Sequence, residues 1–325
     1  MAAGNTNFTT LISTTLQNFA NKLEDSVITN NALFFMLKKA GNVKVVSGGR
    51  QFVRQLLFQV NSSFAARTSL QTIDLPVTDS VTATTWDIKI VDGSVVLPIF
   101  DVAQNSGDKE KLLDYINAKK TEAEVSMGEI LGDEVFGTAA ASQNFDGLQK
   151  LIHEDPTSQT DVGGINPQTS GNEYWRNYSH DTAVTAFNTS LAGFNAIDTS
   201  INQSTFGRMG PKLIVTTKLV WTLFQLGLTS NMRYSRVDLP IGKAGFKALE
   251  YATIPVVFDD NCPTNNLYGI DTEGISLNIL SQGNFKQTPF VPARNQLAES
   301  SLLYFFGNLT MGSRRTNFVI DEISG

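Results

Sequence analysis

Residues 106–138, SGDKEKLLDYINAKKTEAEVSMGEILGDEVFGT, carry the pattern from which the rest of the chain is read. Apolar or small residues fall at Leu112, Leu113, Ile116, Ala123, Met127, Ile130, Leu131 and Val135, a three-and-four spacing that puts them on one helical face. The remaining face is charged. Ser106 or Asp108 can cap the first free N–H groups, and Gly137 supplies a stop where a left-handed residue is tolerated. About thirty residues rising ~1.5 Å each make a rod of roughly 45 Å, far longer than the usual globular helix. Gly128 and Gly132 each weaken an isolated helix by about 1 kcal/mol relative to Ala, so packing must hold the rod together. The plain reading is a core helix of an ordinary enzyme. Length and a single stripe argue instead for a spine lying along a sheet.

The totals bound the alternatives. A chain of 325 residues, 41% of them hydrophobic, can build one large domain or two with real cores. Only 17% of residues are charged, and the uncharged polar remainder points to β-rich structure and extensive self-association. A net charge of −6 argues against a broad basic face for nucleic acid. Cys262 is the only cysteine, which excludes an intramolecular disulfide and a cysteine-rich metal site. The N-terminus, MAAGNTNFTTLISTT, lacks the order of a secretory signal, and no apolar run approaches eighteen residues, so synthesis in the cytosol without a membrane span is expected.

Taken in order, residues 1–45 carry a broken helical pattern. Its cluster Leu33–Leu37 would be an exposed apolar patch unless it packs on something, another chain being one option. From Val43 to Pro98 the pattern is strand. RQFVRQLLFQV from Arg50 and TATTWDIKIVDGSVVLP from Thr82 are the best runs, joined through a polar segment, Ser63 to Ser80, as a projecting hairpin. Arg50, Arg54 and Arg67 make this region locally basic, suited to charge complementarity between copies, although solvated strand faces explain them nearly as well. Past the spine, Trp175 beside Arg176 is either a ligand platform or, more commonly, a buried aromatic next to a hydrogen-bonded Arg. A helix is expected over Asp181–Ile201, a strand at Pro211–Thr216, a helix from Thr217 to about Leu228 and a strand at Val256–Phe258, together a small α/β unit. Strands at Asn266–Ile270 and Ile275–Leu280 follow. Leu302–Met311 and Asn317–Ile323 then read as a hairpin across Gly312–Arg315.

Chemistry is sparse. There is no nucleophile elbow, phosphate-binding loop, dinucleotide fingerprint or HExxH, and the two histidines, His153 and His180, have no ligand at helical spacing. Asp259, Asp260, Asp271 and Glu273 can hold a divalent cation if brought together, but a surface turn is the commoner reading. Cys262 has no neighbouring base to lower its pKa. Arg314–Arg315 can meet phosphate, or carboxylates across a subunit boundary.

The order of arm, β hairpin, spine, glycine-rich passage, α/β unit and terminal strands resembles that of tailed-phage major capsid proteins of the HK97 fold. The stretches that carry the likeness are Phe145–Ile152 (FDGLQKLI), Val162–Asn166 (VGGIN) followed by Trp175–Asn177 (WRN), Val256–Pro263 (VVFDDNCP) and Phe305–Thr310 (FFGNLT). The resemblance implies an α+β fold with an N-arm at 1–45 and an extended E-loop at 46–98 lying on the adjacent subunit. A peripheral domain would take 99–164 and 266–325, and an axial domain 165–265. It implies hexamers and pentamers closing an icosahedral head around double-stranded DNA, no enzyme activity and no cofactor. Partners would be portal and separate scaffolding or decoration proteins, with assembly in the host cytoplasm and a place in the virion. On this reading Arg50, Arg54, Arg67, Trp175, Arg176, Arg314 and Arg315 are the candidate intersubunit contacts. An encapsulin-like compartment, an unrecognised α/β enzyme and a tail-tube protein are the competing readings.

Overall fold

Strands that are apolar at every position must be covered on both faces, and several short runs in this chain are of that kind. The computed structural model describes residues 31–59, 64, 66, 68–69, 71, 79–105, 109–180, 185–186, 192–227 and 248–324. They begin with α1 (Ala32–Lys39), β1 (Val43–Val46), β2 (Gln51–Leu57), β3 (Val81–Asp87), β4 (Lys89–Pro98), α2 (Ile99–Asn105) and the spine α3 (Lys109–Phe136). Next come α4 (Leu148–Leu151), β5 (Tyr178–His180), β6 (Thr185–Ala186), α5 (Ala192–Ser204), β7 (Leu213–Thr216), α6 (Lys218–Gly227), β8 (Ala248–Tyr251) and β9 (Ile254–Phe258). The last strands are β10 (Leu267–Ile270), β11 (Ile275–Leu280), β12 (Lys286–Gln287), β13 (Val291–Pro292), β14 (Ala298–Met311), β15 (Phe318–Ile320) and β16 (Ile323–Ser324).

The doubly buried strands β7, β9, β10 and β15 form the middle of one sheet, ordered β5-β15-β10-β7-β9-β8, with the more polar β5 and β8 at its edges. Alternate residues along it face opposite ways. Val215, Val257, Tyr268 and Val319 enter a large core with Phe136, Phe145 and Trp175, whereas Ile214, Val256, Leu267 and Phe318 enter a second core with Phe194, Ile197, Val220 and Phe224 of α5 and α6. The sheet is therefore the wall between two cores. It draws β10 and β15 from beyond residue 265, so the α/β unit is not one continuous stretch of chain.

The second sheet is built on β14. This fourteen-residue strand carries β4 along residues 298–307 on one side and β11, β12 and β13 on the other, and β1 extends the sheet in parallel to β11. The spine buries Ile116, Met127, Leu131 and Val135, but Ile130 is 45% exposed and Val125 is also outward, so the buried stripe is narrower than the sequence spacing suggests. Gly132 admits a neighbour: a Cβ there would lie 2.8 Å from Nδ2 of Asn261, which donates to Asp133 Oδ1 at 2.6 Å. The left-handed residue beyond the helix is Ala139 (φ 54°), not Gly137. The expected caps Ser106 and Asp108 lie outside the described residues.

Three further expectations change. The Leu33–Leu37 cluster is covered by its own chain: Asn31 Oδ1 accepts from Leu33 N and Phe34 N, and α1 buries Leu33, Phe34 and Leu37 in the large core. The helix expected from Asp181 begins at Ala192, after the short strands β5 and β6. The terminal hairpin does not form, because β14 and β15 belong to different sheets.

Arg314 explains the last difference. It lies in the turn between those strands, fully buried; its Nε donates to Leu151 O at 2.7 Å and its Nη1 to Trp175 O at 3.0 Å, while Nη2 serves Gln159 Oε1 and Asn177 Oδ1. Burial pulls its pKa down to about 9, so it remains a cation at neutral pH, held by neutral oxygens. An apolar replacement leaves those buried acceptors without a donor. Arg314→Met is expected to lower the unfolding free energy by about 3 kcal/mol or more, read by urea denaturation of the unassembled chain. Arg315→Met, on the exposed side of the same turn and stacked over Phe206 at 3.5 Å, should cost no more than about 1 kcal/mol.

Candidate assembly surfaces

The hairpin is built as its sequence alternation predicts: β2 and β3 pair antiparallel from Gln51↔Asp87 to Leu57↔Val81 and form a sheet of their own. The long run from Thr82 is not one strand. It breaks at Ile88, giving β3 to the hairpin and β4 to the sheet on β14. One hairpin face turns inward at the root, where Phe52 and Trp86 are buried in the large core. Trp86 Nε1 donates to Thr84 Oγ1 at 3.1 Å, and its ring lies against Gly163, where a Cβ would sit 2.7 Å from the ring. Thr85 N donates to Gly163 O at 3.0 Å, and Asn308 Nδ2 to Asp87 O at 2.8 Å. Gly163 has φ +65°, so it serves both a left-handed turn and a close approach that a side chain would block.

The other face of the hairpin is bare. Val53 (64% exposed), Leu57 (71%) and Val81 (57%) stand on it, the last two directly opposite each other. A two-stranded ribbon with an uncovered apolar face is marginal in water and gains most by lying on another surface. Further bare apolar groups lie along the spine and at the end of the β14 sheet: Val125 and Ile130 on the helix, and Phe100, Val291 and Leu297 beside Ile99, whose N–H donates to Leu297 O. Between β4 and the spine runs a cavity of about 250 Å³ lined by Val95, Val96, Ala123, Met127, Ile130 and Leu303.

The seven candidate contact residues divide sharply. Arg50 and Arg315 are exposed, and Arg67 lies outside the described residues. Arg176 is part-buried and donates to Pro167 O at 2.8 Å. Trp175 is fully buried, its Nε1 donating to Val162 O at 2.8 Å, and Arg314 is equally buried. Neither presents surface to another subunit: both hold the loops between the spine and β5. Arg54 turns back on its own chain, with Nη1 donating to Gly274 O at 2.9 Å. The exposure of Val53, Leu57 and Val81 has no signal in the sequence, because alternation marks a strand without saying that no second layer covers its outer face.

The acidic residues are separately engaged. Asp259 accepts from Asn261 N, Asp260 pairs with Lys218, Asp271 accepts from Glu273 N, and Glu273 pairs with Lys212. Among the described residues no three His, Cys, Asp or Glu side chains gather to hold a metal. Cys262 is buried, which pushes its thiol well above the usual range. No helix among the described residues is long and apolar enough to cross a membrane.

No protein-family model matches the chain, and no curated protein sequence is similar to it. Solved structures do match. The asymmetric unit of the cyanophage A-1(L) capsid aligns at a TM-score of 0.65 with 14% identity, covering 89% of this chain and 93% of that one. The capsid of a native GTA particle aligns at 0.58 with 10% identity over 89% and 91%. The holo-SrpI encapsulin of Synechococcus elongatus PCC 7942 aligns at 0.52 with 9% identity over 89% and 88%. At such identities the likeness is one of fold: the chain has the HK97-type capsid fold, helix and strand mixed.

The hairpin root should be intolerant of added volume. Gly163→Ala is expected to cost about 1–3 kcal/mol through strain and overpacking against Trp86, measured by urea denaturation followed through tryptophan fluorescence; a change within about 0.5 kcal/mol would show a loose root.

Proposed function

We propose that this chain is the major shell subunit of a tailed-phage head, assembling as hexamers and pentamers into a closed icosahedral container for double-stranded DNA. The observation that carries the reading is the set of exposed apolar side chains, Val53, Leu57 and Val81, on the outer face of the hairpin, in a fold shared with phage capsids. A hairpin that cannot cover its own Val53, Leu57 and Val81 is stabilised by lying on a neighbouring copy, and repeated around a ring such heterologous contacts close into capsomers. The low charge content suits large, weakly charged contacts, and an acidic subunit would not adhere to the packaged DNA as a basic one would.

In this reading the β14 sheet and the spine form the peripheral domain, and the wall sheet with α5 and α6 forms the axial domain at the ring centre. Arg50 and Arg315, both exposed, are cations available to acidic groups of neighbours. The subunit acts by contact alone, without catalysis or cofactor. Portal, scaffolding or decoration proteins would be its partners, and the virion its place. An encapsulin-like compartment is the second reading, because an encapsulin shares the fold.

Expression of the chain alone and imaging by electron microscopy tests the proposal: closed shells or five- and six-membered rings are expected. A uniform small oligomer at every concentration and with co-expressed scaffold would overturn it. Leu57→Asp combined with Val81→Asp should leave a subunit with a normal melting curve that no longer closes shells, and deletion of 63–80 should do the same. Normal particles from both variants would remove the hairpin from the assembly mechanism.

A further inference from the structure

The hairpin is packed at both ends of its described length and pinned between them. Beneath β2 lies a cavity of about 210 Å³, between the hairpin and the polar face of β1, β11 and β14, lined by Lys44, Phe52, Arg54, Ser276, Asn278 and Thr310. At ~30 Å³ per water molecule this is room for several waters, so no continuous apolar contact fixes the ribbon here. Phe52 and Trp86 anchor the root, and toward the tip Leu56 packs on the large core and the Phe58 ring lies 5.3 Å from that of Tyr174, so apolar contact holds both ends of the described ribbon and the polar gap lies between them.

One side chain crosses the gap. Arg54, in the middle of β2, donates from Nη1 to Gly274 O at 2.9 Å and to Ser276 Oγ at 3.3 Å. Gly312 N donates to the same carbonyl at 2.9 Å. The guanidinium lies so close to Gly312 that a Cβ at that position would overlap Nε and Cζ. Gly312 is not among the glycines with positive φ, so what a side chain there would meet is Arg54 and not backbone strain. Asp271 adds attraction for the cation from the body of the subunit. Across the ribbon, Thr84 Oγ1 donates to Arg54 O at 3.3 Å, linking the pinned residue to β3.

We infer that Arg54 is a positioning residue that sets the angle at which the hairpin leaves the subunit, and that Gly312 is the notch that admits it. The pin acts on the proposed assembly by presenting Val53, Leu57 and Val81 in one orientation before contact is made. Without it the ribbon stays attached through Phe52, Trp86, Leu56 and Phe58 but its middle is loosened over the polar gap, and ordering it becomes a cost of each assembly step. This consequence for assembly rests on the shell reading; the pin itself does not.

The test uses the full chain, unassembled, with Arg54→Ala, Gly312→Ala and the double variant, followed by hydrogen exchange with peptide resolution. Loss of the charge-assisted bonds should speed exchange in β2 and β3 by about tenfold or more, while β10 and β15 exchange as in the parent chain. Gly312→Ala should reproduce the effect by displacing the guanidinium, and should add less than about twofold on top of Arg54→Ala, because both remove one interaction. Unchanged exchange in the hairpin of Arg54→Ala, or effects of the two substitutions that simply multiply, would overturn the proposal. In a second arm, electron microscopy compares particles from the parent and Arg54→Ala chains. Irregular or open particles are expected from the variant, and regular closed shells from it would refute the link to assembly. A parent chain that forms no shells refutes the shell reading, and the exchange arm still decides the pin.

Discussion

A buried cation, Arg314, stands at the junction of the two sheets. Arg314 sits where β14, the backbone of one sheet, gives way to β15 in the other, and it bonds to the segments around Leu151, Gln159, Trp175 and Asn177. Its acceptors are neutral, so the arrangement is sustained by hydrogen bonding in a dry interior rather than by an ion pair. Remove it and the turn has no reason to swing the chain from one sheet to the next. Asn317, three residues on, continues the tie: its Oδ1 accepts from Asp271 N at 2.7 Å and its Nδ2 donates to Ser313 O at 2.8 Å.

From that junction the two cores follow. The wall sheet is apolar on both faces because it separates them, and its strands are short because each has only to cross the wall. The β14 sheet differs: one face enters the large core, and its other face is partly polar and partly bare. The spine lies against this sheet with a narrow buried stripe, leaving apolar residues outward on a helix whose length exceeds what one core needs. An isolated monomer has no use for these exposures, whereas an assembling one does.

Much of the fold was legible in local pattern. The spine, the hairpin strands, the strand and helix at 213–227 and the strand at 275–280 all follow from periodicity, since period and burial are coupled within one element. The failures share a cause. Two adjacent strands and a short turn predict a hairpin at the C-terminus, but the Arg in that turn bonds to partners more than a hundred residues away. The break at Ile88 is invisible for the same reason, because which sheet a strand joins depends on distant neighbours. Trp175 is the buried aromatic that its position beside Arg176 most commonly signals, whereas nothing in the pair Arg314–Arg315 says that one is buried and the other exposed, because residue type reports chemistry and not location.

The sequence by itself determined the element types, the presence of a long helix beside a β hairpin, the scarcity of catalytic groups and, through a few ordered stretches, the fold family. Only the tertiary structure decided which arginines are buried and which are exposed, that Leu33–Leu37 belongs to the chain's own core, and that Val53, Leu57 and Val81 are uncovered. The physical reason is that burial is a property of pairs of surfaces: a strand states that it has two faces, and only the assembled chain states what lies against each.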